Sequence, residues 1–194
     1  AIGQAPISQL KDPNTGNITN DNPEIQFIFN LLRDANVDVQ SEGWHFNTER
    51  HLPFQKDGNN KIAIAADVVR LDLPDNWTRK TFNFVRRGGF LYDKITHTDT
   101  FPDMPATFEL DVVKVYNFED APIPFRRHIT HRAARMAATQ LVANPQLVRL
   151  LGIQEQQSRA ALQEYECNQG NHTMFGFEDN TVHQTYQPWR NLRR

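Results

Sequence analysis

The chain has 194 residues, of which 39% are hydrophobic and 23% charged, and its net charge is −2. A chain of this length buries about 70% of its extended surface on folding, which is enough for a core of its own. These values argue against a wholly disordered chain and against a dedicated nucleic-acid-binding protein, and no apolar run approaches the roughly 18 residues that a membrane helix needs.

The cysteine content and the first residues of the chain indicate the cellular compartment in which the protein assembles. Cys167 is the only cysteine, so no disulfide can form within the chain, and the sequence shows no signal-peptide pattern. We therefore expect assembly in a cytoplasm. The first residue is Ala1 rather than a methionine, which leaves open a natural start further upstream.

Charge is divided unevenly along the chain. Residues 1–120 carry 12 Lys and Arg against 18 Asp and Glu, a net charge of −6, whereas residues 121–194 carry 9 against 5, a net charge of +4. This asymmetry predicts that the two ends of the protein face different partners.

A first helix is predicted after Asn22 and Pro23, a side-chain cap followed by proline at the first helical position. Gly43 is placed to end this helix. The apolar face repeats at helical spacing and comprises Ile25, Ile28, Phe29, Leu32, Ala35, Asn36 and Val39.

Short apolar or alternating runs follow over residues 43–117. They read "WHFN", "KIAIA", "VVRLDL", "TFNFV", "GFLYDK" and "FELDVVKVYNF", and turn-rich stretches such as "KDGNN", "LPDNW" and "FPDMPA" separate them. This spacing predicts antiparallel strands in a small sheet or barrel.

Two further helices are predicted in the C-terminal half. The first covers residues 121–143, with Asp120 as its cap and with Pro122 and Pro124 in its first turn. Asn144 and Pro145 break it and cap the second, in which Gly152 is a candidate kink. The helical repeat of the second comprises Leu147, Leu150, Leu151, Ser158, Ala161, Leu162 and Tyr165.

The element order predicts an α+β fold. We expect a helical bundle of one N-terminal and two C-terminal helices, an inserted antiparallel β domain and an extended C-terminal arm. A lone N-terminal helix cannot bury its apolar face, so it is expected to pack on the two later helices. The domains are then residues 1–42 with 119–170 for the bundle, 43–118 for the β domain and 171–194 for the arm.

The stretch "FNFVRRGGFLYDK" allows two interpretations. A phosphate-binding loop requires a helix after its glycines. The following "FLYDK" instead alternates like a strand, which favours a β-hairpin with a turn at Arg86, Arg87, Gly88 and Gly89.

The sharpest charge feature is "RRHITHRAAR", residues 126–135. On a helix, a basic face of about 140° lies opposite Ile129, Ala133, Ala137 and Leu141. The basic face comprises Arg127, His128, His131, Arg132 and Arg135. It is either solvated, a contact with another subunit, or the wall of a DNA channel, and DNA binding there would depend on salt rather than on base sequence.

Two further features leave alternatives open. The alanines Ala133, Ala134, Ala137 and Ala138 permit close approach of a helix from the same chain or from another subunit. The tail is either a frayed terminus or an arm that orders on a partner. Its anchoring side chains would be Phe175, Phe177, Tyr186, Trp189, Arg190, Arg193 and Arg194.

We predict no metal, cofactor or catalytic site. His128 and His131 have a spacing that zinc ligands use, but neither a cysteine pair nor His-Glu-x-x-His accompanies them. The sequence lacks Gly-x-Ser-x-Gly, and Cys167 has no basic neighbour in "EYECNQG" to lower its pKa. A carboxylate pair for glycoside hydrolysis remains open, although nothing singles one out.

An ordered set of short motifs resembles the tail tubular protein A family of short-tailed, podovirus-type bacteriophages, the adaptor or gatekeeper below the portal. The motifs are "IGQAPISQL" near the start, "GWHFN" at 43–47, "VRRGGFLYD" at 85–93, "FED" with a proline at 118–122, "HRAAR" at 131–135, and "EYE" before a Gly- and Asn-rich stretch at 164–172. They occur in the family's order over most of residues 1–175.

The resemblance implies a ring of twelve copies between the portal protein and the tail nozzle, tail tubular protein B. Genomic DNA would leave through this ring, and tail fibres would dock near the junction. The helices and the arm would approach the portal, whereas the β domain would face neighbouring subunits, nozzle and fibres. The portal-binding assignment of the arm comes from its composition, because residues 176–194 match no motif of the family.

The resemblance also implies a structural virion protein, assembled in the host cytoplasm, with no enzymatic activity, cofactor or membrane anchor. The alternative is a tail-associated hydrolase of polysaccharide or cell-wall glycan, a role that has been proposed within this family.

Overall fold

The computed structural model describes residues 23–74, 82–142 and 144–170, and there it shows three α-helices and two antiparallel sheets. The predicted α+β fold class is confirmed. Within these residues, no helix is both long and apolar enough to cross a membrane.

The three helices form one bundle. Helix α1 spans Pro23–Ser41, α2 spans Ile123–Ala137 and α3 spans Pro145–Gly170. A π-helical turn, Ala138–Val142, extends α2. Helices α1 and α3 both pack on α2, which is therefore the central helix. The N-terminal helix was expected to pack on both later helices, and it packs on α2 and the larger sheet instead of on α3.

The buried face of α1 is wider than the predicted stripe. Ile25, Ala35, Asn36 and Val39 are buried as predicted, but Leu31 and Gln40 are buried too. The predicted Ile28, Phe29 and Leu32 are only half-buried. Helix α1 contacts both α2 and the last strand of the larger sheet, so two sides of it are covered instead of one.

One predicted helix cap is confirmed and one is wrong. The Asn144 side chain accepts hydrogen bonds from the N–H groups of Gln146 at 3.0 Å and Leu147 at 3.3 Å, which caps α3. Asp120 does not cap α2, because it lies in a separate 3-10 turn, Phe118–Asp120. Helix α2 begins after Pro122 without a side-chain cap. The prolines of its first turn have no N–H groups to satisfy, so a cap matters less there.

Helix α3 buries a narrower face than predicted. Leu151, Ser158 and Leu162 are buried, but Leu150 is 61% exposed. Ala161 is also exposed, and α3 continues through Gly152. Among the described elements α3 packs mainly on α2, which covers only one side of it.

The five strands form two sheets. Strand β1 is Thr48–Gln55, β2 is Val68–Asp72, β3 is Phe84–Arg87, β4 is Phe90–Asp93 and β5 is Thr107–Lys114. The larger sheet has the order β1-β5-β2 and the smaller is the hairpin β3-β4, with all pairs antiparallel.

Three of the predicted strand assignments are corrected. The prediction missed β1, whose register shifts between Glu49 and Leu52 around His51 at φ +55°. The stretch "WHFN" contains a 3-10 turn, His45–Asn47, instead of a strand. The stretch "KIAIA" makes only an isolated bridge, between Ala63 and Phe90.

The core consists of two clusters. The first lies between the sheets and includes Leu91, Phe108 and Leu110. The second lies among the helices around Phe125 and Ile129, and Trp44 belongs to it although its position falls in the predicted β domain. The predicted domain boundaries themselves stay a prediction.

Candidate assembly interface

A buried network of side-chain amides joins α1 to the end of β5. The Gln40 side chain forms hydrogen bonds with both backbone groups of Tyr116. It donates to the carbonyl oxygen at 2.9 Å and accepts from the N–H at 2.7 Å. Asn36 Nδ2 donates to the same carbonyl at 3.1 Å. Gln40 has no solvent-exposed surface, so water cannot replace these bonds.

Asn47 completes this network from the 3-10 turn. Its Nδ2 donates to the carbonyl oxygens of Gln40 and Lys114, each at 2.8 Å, and its Oδ1 accepts from the Trp44 N–H at 2.8 Å. We call Asn36, Gln40 and Asn47 the amide joint. It fixes the helical bundle to the larger sheet.

An aromatic cluster backs the joint. The Trp44 ring meets Phe125 of α2 edge-on, with 5.3 Å between centroids, and the Phe46 ring lies 4.3 Å from the same residue. Tyr165 of α3 packs edge-on against Phe125 from the other side, at 6.2 Å. The ring contacts hold Trp44 and Phe46 against α2, and Glu166 of α3 accepts a hydrogen bond from the His45 N–H.

A charged group covers the sheet side of the joint. The Tyr116 hydroxyl donates to Glu49 at 2.8 Å, and Lys114 Nζ lies 3.0 Å from the same carboxylate. Because it donates to an anion, the pKa of Tyr116 is raised to about 12. The hydrogen bonds from Tyr116 and Lys114 lower the pKa of Glu49.

Ion pairs connect the three helices along their exposed edges. Arg159 of α3 binds both carboxylate oxygens of Glu42, at 2.9 and 2.8 Å, and this contact lowers the pKa of Glu42. Arg132 of α2 lies 3.0 Å from Asp38 of α1. Arg135 of α2 pairs with Glu155 of α3.

Because of these ion pairs, the predicted basic face has fewer unpaired charges than the sequence indicates. Arg132 and Arg135 are neutralised within the chain, and His131 is half-buried. Arg127 is exposed and has no carboxylate within ion-pair distance among the described residues, so its charge is available to a partner. Whether this face meets another subunit or DNA stays a prediction.

His128 does not belong to an exposed face, because it is 1% exposed. Ser158 Oγ donates to the Glu155 carbonyl at 2.8 Å, so its oxygen is left to accept from His128 Nδ1 at 3.1 Å. Nε2 is then an acceptor with no partner among the described residues. Burial, followed by the nearby Arg159 guanidinium, lowers the pKa of His128.

The alanines of α2 serve packing within the chain. Ala133, Ala137 and Ala138 are at most 5% exposed, and α2 lies between α1 and α3. Of the two interpretations that the sequence left open, the structure favours close approach of helices of the same chain.

The structure has a hairpin at the predicted position, but Arg86 and Arg87 belong to β3 instead of the turn. Val85 pairs with Tyr92 and Arg87 with Phe90, and Gly88 and Gly89 form the turn with φ of +59° and +83°. No helix follows these glycines, so the phosphate-loop interpretation is wrong.

Both arginines of the hairpin have contacts of their own. The guanidinium of Arg87 lies 3.9 Å from the centroid of the Tyr92 ring, and Arg86 Nε donates to the Ile64 carbonyl at 3.3 Å. Both remain exposed and therefore accessible to a neighbour.

The predicted arm lies outside the described residues, and with it the anchors Phe175, Phe177, Tyr186, Trp189, Arg190, Arg193 and Arg194. Across residues 23–74, 82–142 and 144–170, no three His, Cys, Asp or Glu side chains are grouped so that they could hold a metal ion.

The amide joint is the feature that the sequence did not predict. The helical pattern of α1 includes Asn36 but not Gln40, and the pattern of "WHFN" predicts a strand at Asn47. The spacing of four residues between Asn36 and Gln40 is the only local signal, and it becomes meaningful only when Tyr116 lies beside them.

Comparison with known proteins identifies the group to which this architecture belongs. The family model described as "Tail tubular protein" matches residues 1–172, which include every described element. No protein with a curated description gives a significant match. The chain therefore belongs to the tail tubular protein family and is a structural protein of the bacteriophage tail.

Proposed function

We propose that this tail protein is the adaptor between the portal protein and the tail nozzle, assembled as a ring of subunits around the DNA exit channel. The amide joint carries the proposal. An adaptor must hold two different surfaces at a fixed distance, and a buried hydrogen-bonded joint between the bundle and the sheet meets that requirement.

The charge distribution supports two different partners. The sequence is net negative before residue 121 and net positive after it, and Arg127 on α2 has no ion-pair partner among the described residues. We propose that the helical side and residues 171–194 bind the portal. The sheet side with the exposed hairpin binds neighbouring subunits, the nozzle and tail fibres.

Co-sedimentation with assembled portal rings of the same phage tests the proposal. The full chain and a chain lacking residues 171–194 are incubated with portal rings, and the pellets are examined by gel and by electron microscopy. We expect stoichiometric binding of the full chain and loss of binding by the shortened one.

The two parts of the proposal fail separately. No binding by the full chain to well-formed portal rings contradicts the adaptor role. Equal binding by both chains supports the adaptor role but removes the arm from the portal contact. A free subunit that is monomeric contradicts neither part, because the portal itself can template the ring.

Direct contact between the channel wall and DNA is a separate component of the proposal. Arg127 is the residue of the predicted basic face that is most available for it, because Arg132 and Arg135 already have carboxylate partners. The comparisons give no support to the glycan hydrolase alternative, and no described site favours it.

A further inference from the structure

The outer edge of β3 presents backbone groups that do not bond to its partner strand. Leu91 and Asp93 of β4 donate their N–H groups to carbonyl oxygens outside the hairpin, both at 2.9 Å. In an antiparallel ladder, two opposite residues either exchange hydrogen bonds or both point their backbone groups outwards. The residues opposite Leu91 and Asp93 are Arg86 and Phe84, so the N–H and C=O groups of Arg86 and Phe84 point away from β4.

These outward groups are unpaired in the part of the chain that the structure describes. None of the hydrogen bonds between described residues involves the backbone of Phe84 or Arg86. The two residues lie two positions apart, so two donors and two acceptors form a row with a repeat of about 6.8 Å. An open strand edge with this repeat is suited to pair with a further strand.

The other edges of the two sheets are less suited to strand pairing. Residues 62–64 already bond to the outer side of β4. Strand β1 contains Pro53 and a register shift near His51, and β2 has a register shift between Val68 and Arg70. Proline and irregular register interfere with edge pairing. Among the described strands, β3 therefore has the most regular open edge.

A groove opens beside this edge. Its volume of about 380 Å³ falls within the range of roughly 300–1,000 Å³ that is usual for ligand-binding pockets. Phe84, Val85 and Arg86 line one side of the groove, and β2 forms the other side, where Val69 is 43% exposed. The two strands belong to different sheets and do not pair with each other. Unpaired backbone groups and space for a ligand therefore occur together.

Arg86 gives the groove a positive charge. Its Nε donates to the Ile64 carbonyl at 3.3 Å, which orients the side chain and leaves the two terminal guanidinium nitrogens for a partner. Arg86 is exposed, and no carboxylate of the described residues lies within ion-pair distance of it. Arg70 also lines the groove, but its guanidinium lies beside Gly43, 2.7 Å from the position that a Cβ there would take. A side chain opposite Arg86 would thus be favoured if it were acidic.

We propose that β3 binds an extended segment of a partner protein as an added strand, with an acidic side chain opposite Arg86 and an apolar side chain opposite Phe84. These two partner side chains are two residues apart in the segment, because alternate residues of a strand share a face. The inference deepens the proposed contact of the sheet side and rests on that function for the existence of a partner. Its tests use the free subunit, so their failure would leave the portal-binding result unaffected.

Fluorescence anisotropy with a labelled peptide tests the proposal on the full chain. In the peptide, threonine occupies every second position, and valine and glutamate alternate at the others. One control peptide has lysine in place of glutamate, and the other carries N-methyl groups on its backbone amides, which prevents strand pairing. We expect the glutamate peptide to bind at least about tenfold more tightly than either control. No binding of the glutamate peptide, or equal binding of a control, would overturn the proposal.

The two adjacent arginines of the hairpin give a matched pair of variants. Arg86→Gln should weaken binding of the glutamate peptide by about tenfold, because it removes the charge that faces the glutamate. Arg87→Gln should change binding by less than about twofold, since the Arg87 backbone bonds to β4 and its guanidinium lies on the Tyr92 ring. Circular dichroism checks that both variants are folded. Equal weakening in the two variants would contradict the assigned edge.

Amide hydrogen exchange measured by NMR gives a second readout. In the free chain, the amides of Phe84 and Arg86 should exchange faster than those of Val85 and Arg87, which bond to β4. A saturating concentration of the glutamate peptide should slow exchange of the Phe84 and Arg86 amides by at least about tenfold. Slow exchange of the Arg86 amide without peptide would show that the chain itself or a second copy already covers the edge, and it would overturn the proposal. Peptide binding without this protection would also overturn it.

Discussion

Two consecutive glycines with positive φ angles make the turn between β3 and β4 depend on backbone conformation instead of packing. At Gly88, φ is +59°, and no atom lies within 4 Å of the position that a Cβ would take. A side chain there has space, but its backbone must adopt the left-handed conformation that β-branched residues avoid.

We therefore predict that Gly88→Val lowers the free energy of unfolding by about 1–2 kcal/mol. Urea unfolding followed by circular dichroism measures the change. Gly58→Val is the matched control, because Gly58 also has no atom within 4 Å and needs no positive φ. Gly88→Asn should recover much of the loss, since asparagine tolerates the left-handed region. Equal stability of the two valine variants would contradict the turn geometry.

A second prediction concerns Gln40. Replacing it with leucine keeps a similar volume but leaves the half-buried Tyr116 without an acceptor for its N–H, so we expect a loss of about 2 kcal/mol. Gln26→Leu on the exposed side of α1 is the control and should change stability by less than about 0.5 kcal/mol. A Gln40→Leu protein as stable as the control would show that the joint is not an important source of stability.

At the scale of elements, the contact between α2 and α3 contains a buried histidine. His128 is buried and faces Arg159 and Glu155 of α3, Arg132 of its own helix and Glu42 after α1. Its pKa is lowered in the folded protein, so the unfolded chain binds the additional proton more readily. The stability that neutral His128 provides is complete above its unfolded pKa of about 6.5 and decreases as the pH falls through the folded value.

We predict that the free energy of unfolding falls as the pH decreases below about 6.5, and that His128→Leu flattens this dependence. Unfolding curves at several pH values measure it. His131→Leu, one turn away on the same helix, should retain the slope of the original protein. A slope unchanged in His128→Leu would mean that another group controls stability in this range.

The ion pair between Glu42 and Arg159 allows a prediction about how α1 is attached to α3. Its geometry is bidentate, but the two side chains are 35% and 39% exposed, so solvent weakens their attraction. A double-mutant cycle with Glu42→Gln and Arg159→Gln should give a coupling energy of about 0.5–1 kcal/mol, smaller in high salt. A coupling that does not change with salt would contradict an electrostatic origin.

The elements show which parts of the fold are predictable from sequence. The helices were predicted because local signals define them, such as the cap at Asn144 and the prolines that begin α2. Strand β1 was missed because Pro53 and the irregular register near His51 interrupt its alternation. Leu150 belongs to the predicted helical repeat of α3 but is exposed, because periodicity identifies an apolar stripe and not how much of it a neighbour covers.

The site was less predictable than the fold, for a reason that concerns chain distance. Gln40 lies 76 positions from Tyr116, and Asn47 lies 67 from Lys114, so no local pattern can indicate their partners. The same holds for Arg132 and Arg135, whose carboxylate partners remove them from the predicted basic face. The hairpin turn was predictable because it requires only four adjacent residues.

At the scale of the whole molecule, Arg127 separates the two remaining interpretations of α2. If it contacts DNA in the assembled ring, Arg127→Gln should make the dependence of log K on log salt concentration less steep by about 0.9 without lowering the melting temperature of the subunit. Filter binding of DNA to assembled rings over a range of salt concentrations measures the slope. Arg149→Gln, exposed on α3, is the control.

A ring that fails to form in Arg127→Gln would instead assign this residue to the subunit contact. An unchanged slope in intact rings would remove Arg127 from the channel wall.

The amide joint has a consequence for a particle that must survive outside its host. Amide side chains neither gain nor lose protons over the pH range in which proteins are folded, and dissolved ions do not screen short hydrogen bonds between neutral groups as they screen ion pairs. The ion pairs along the helices should weaken at low pH or high salt concentration. Asn36, Gln40 and Asn47 should keep the same hydrogen-bond partners under those conditions. The angle between the bundle and the sheet should therefore change little with pH or salt concentration, and a tail built from such subunits would keep its shape inside and outside the host cell.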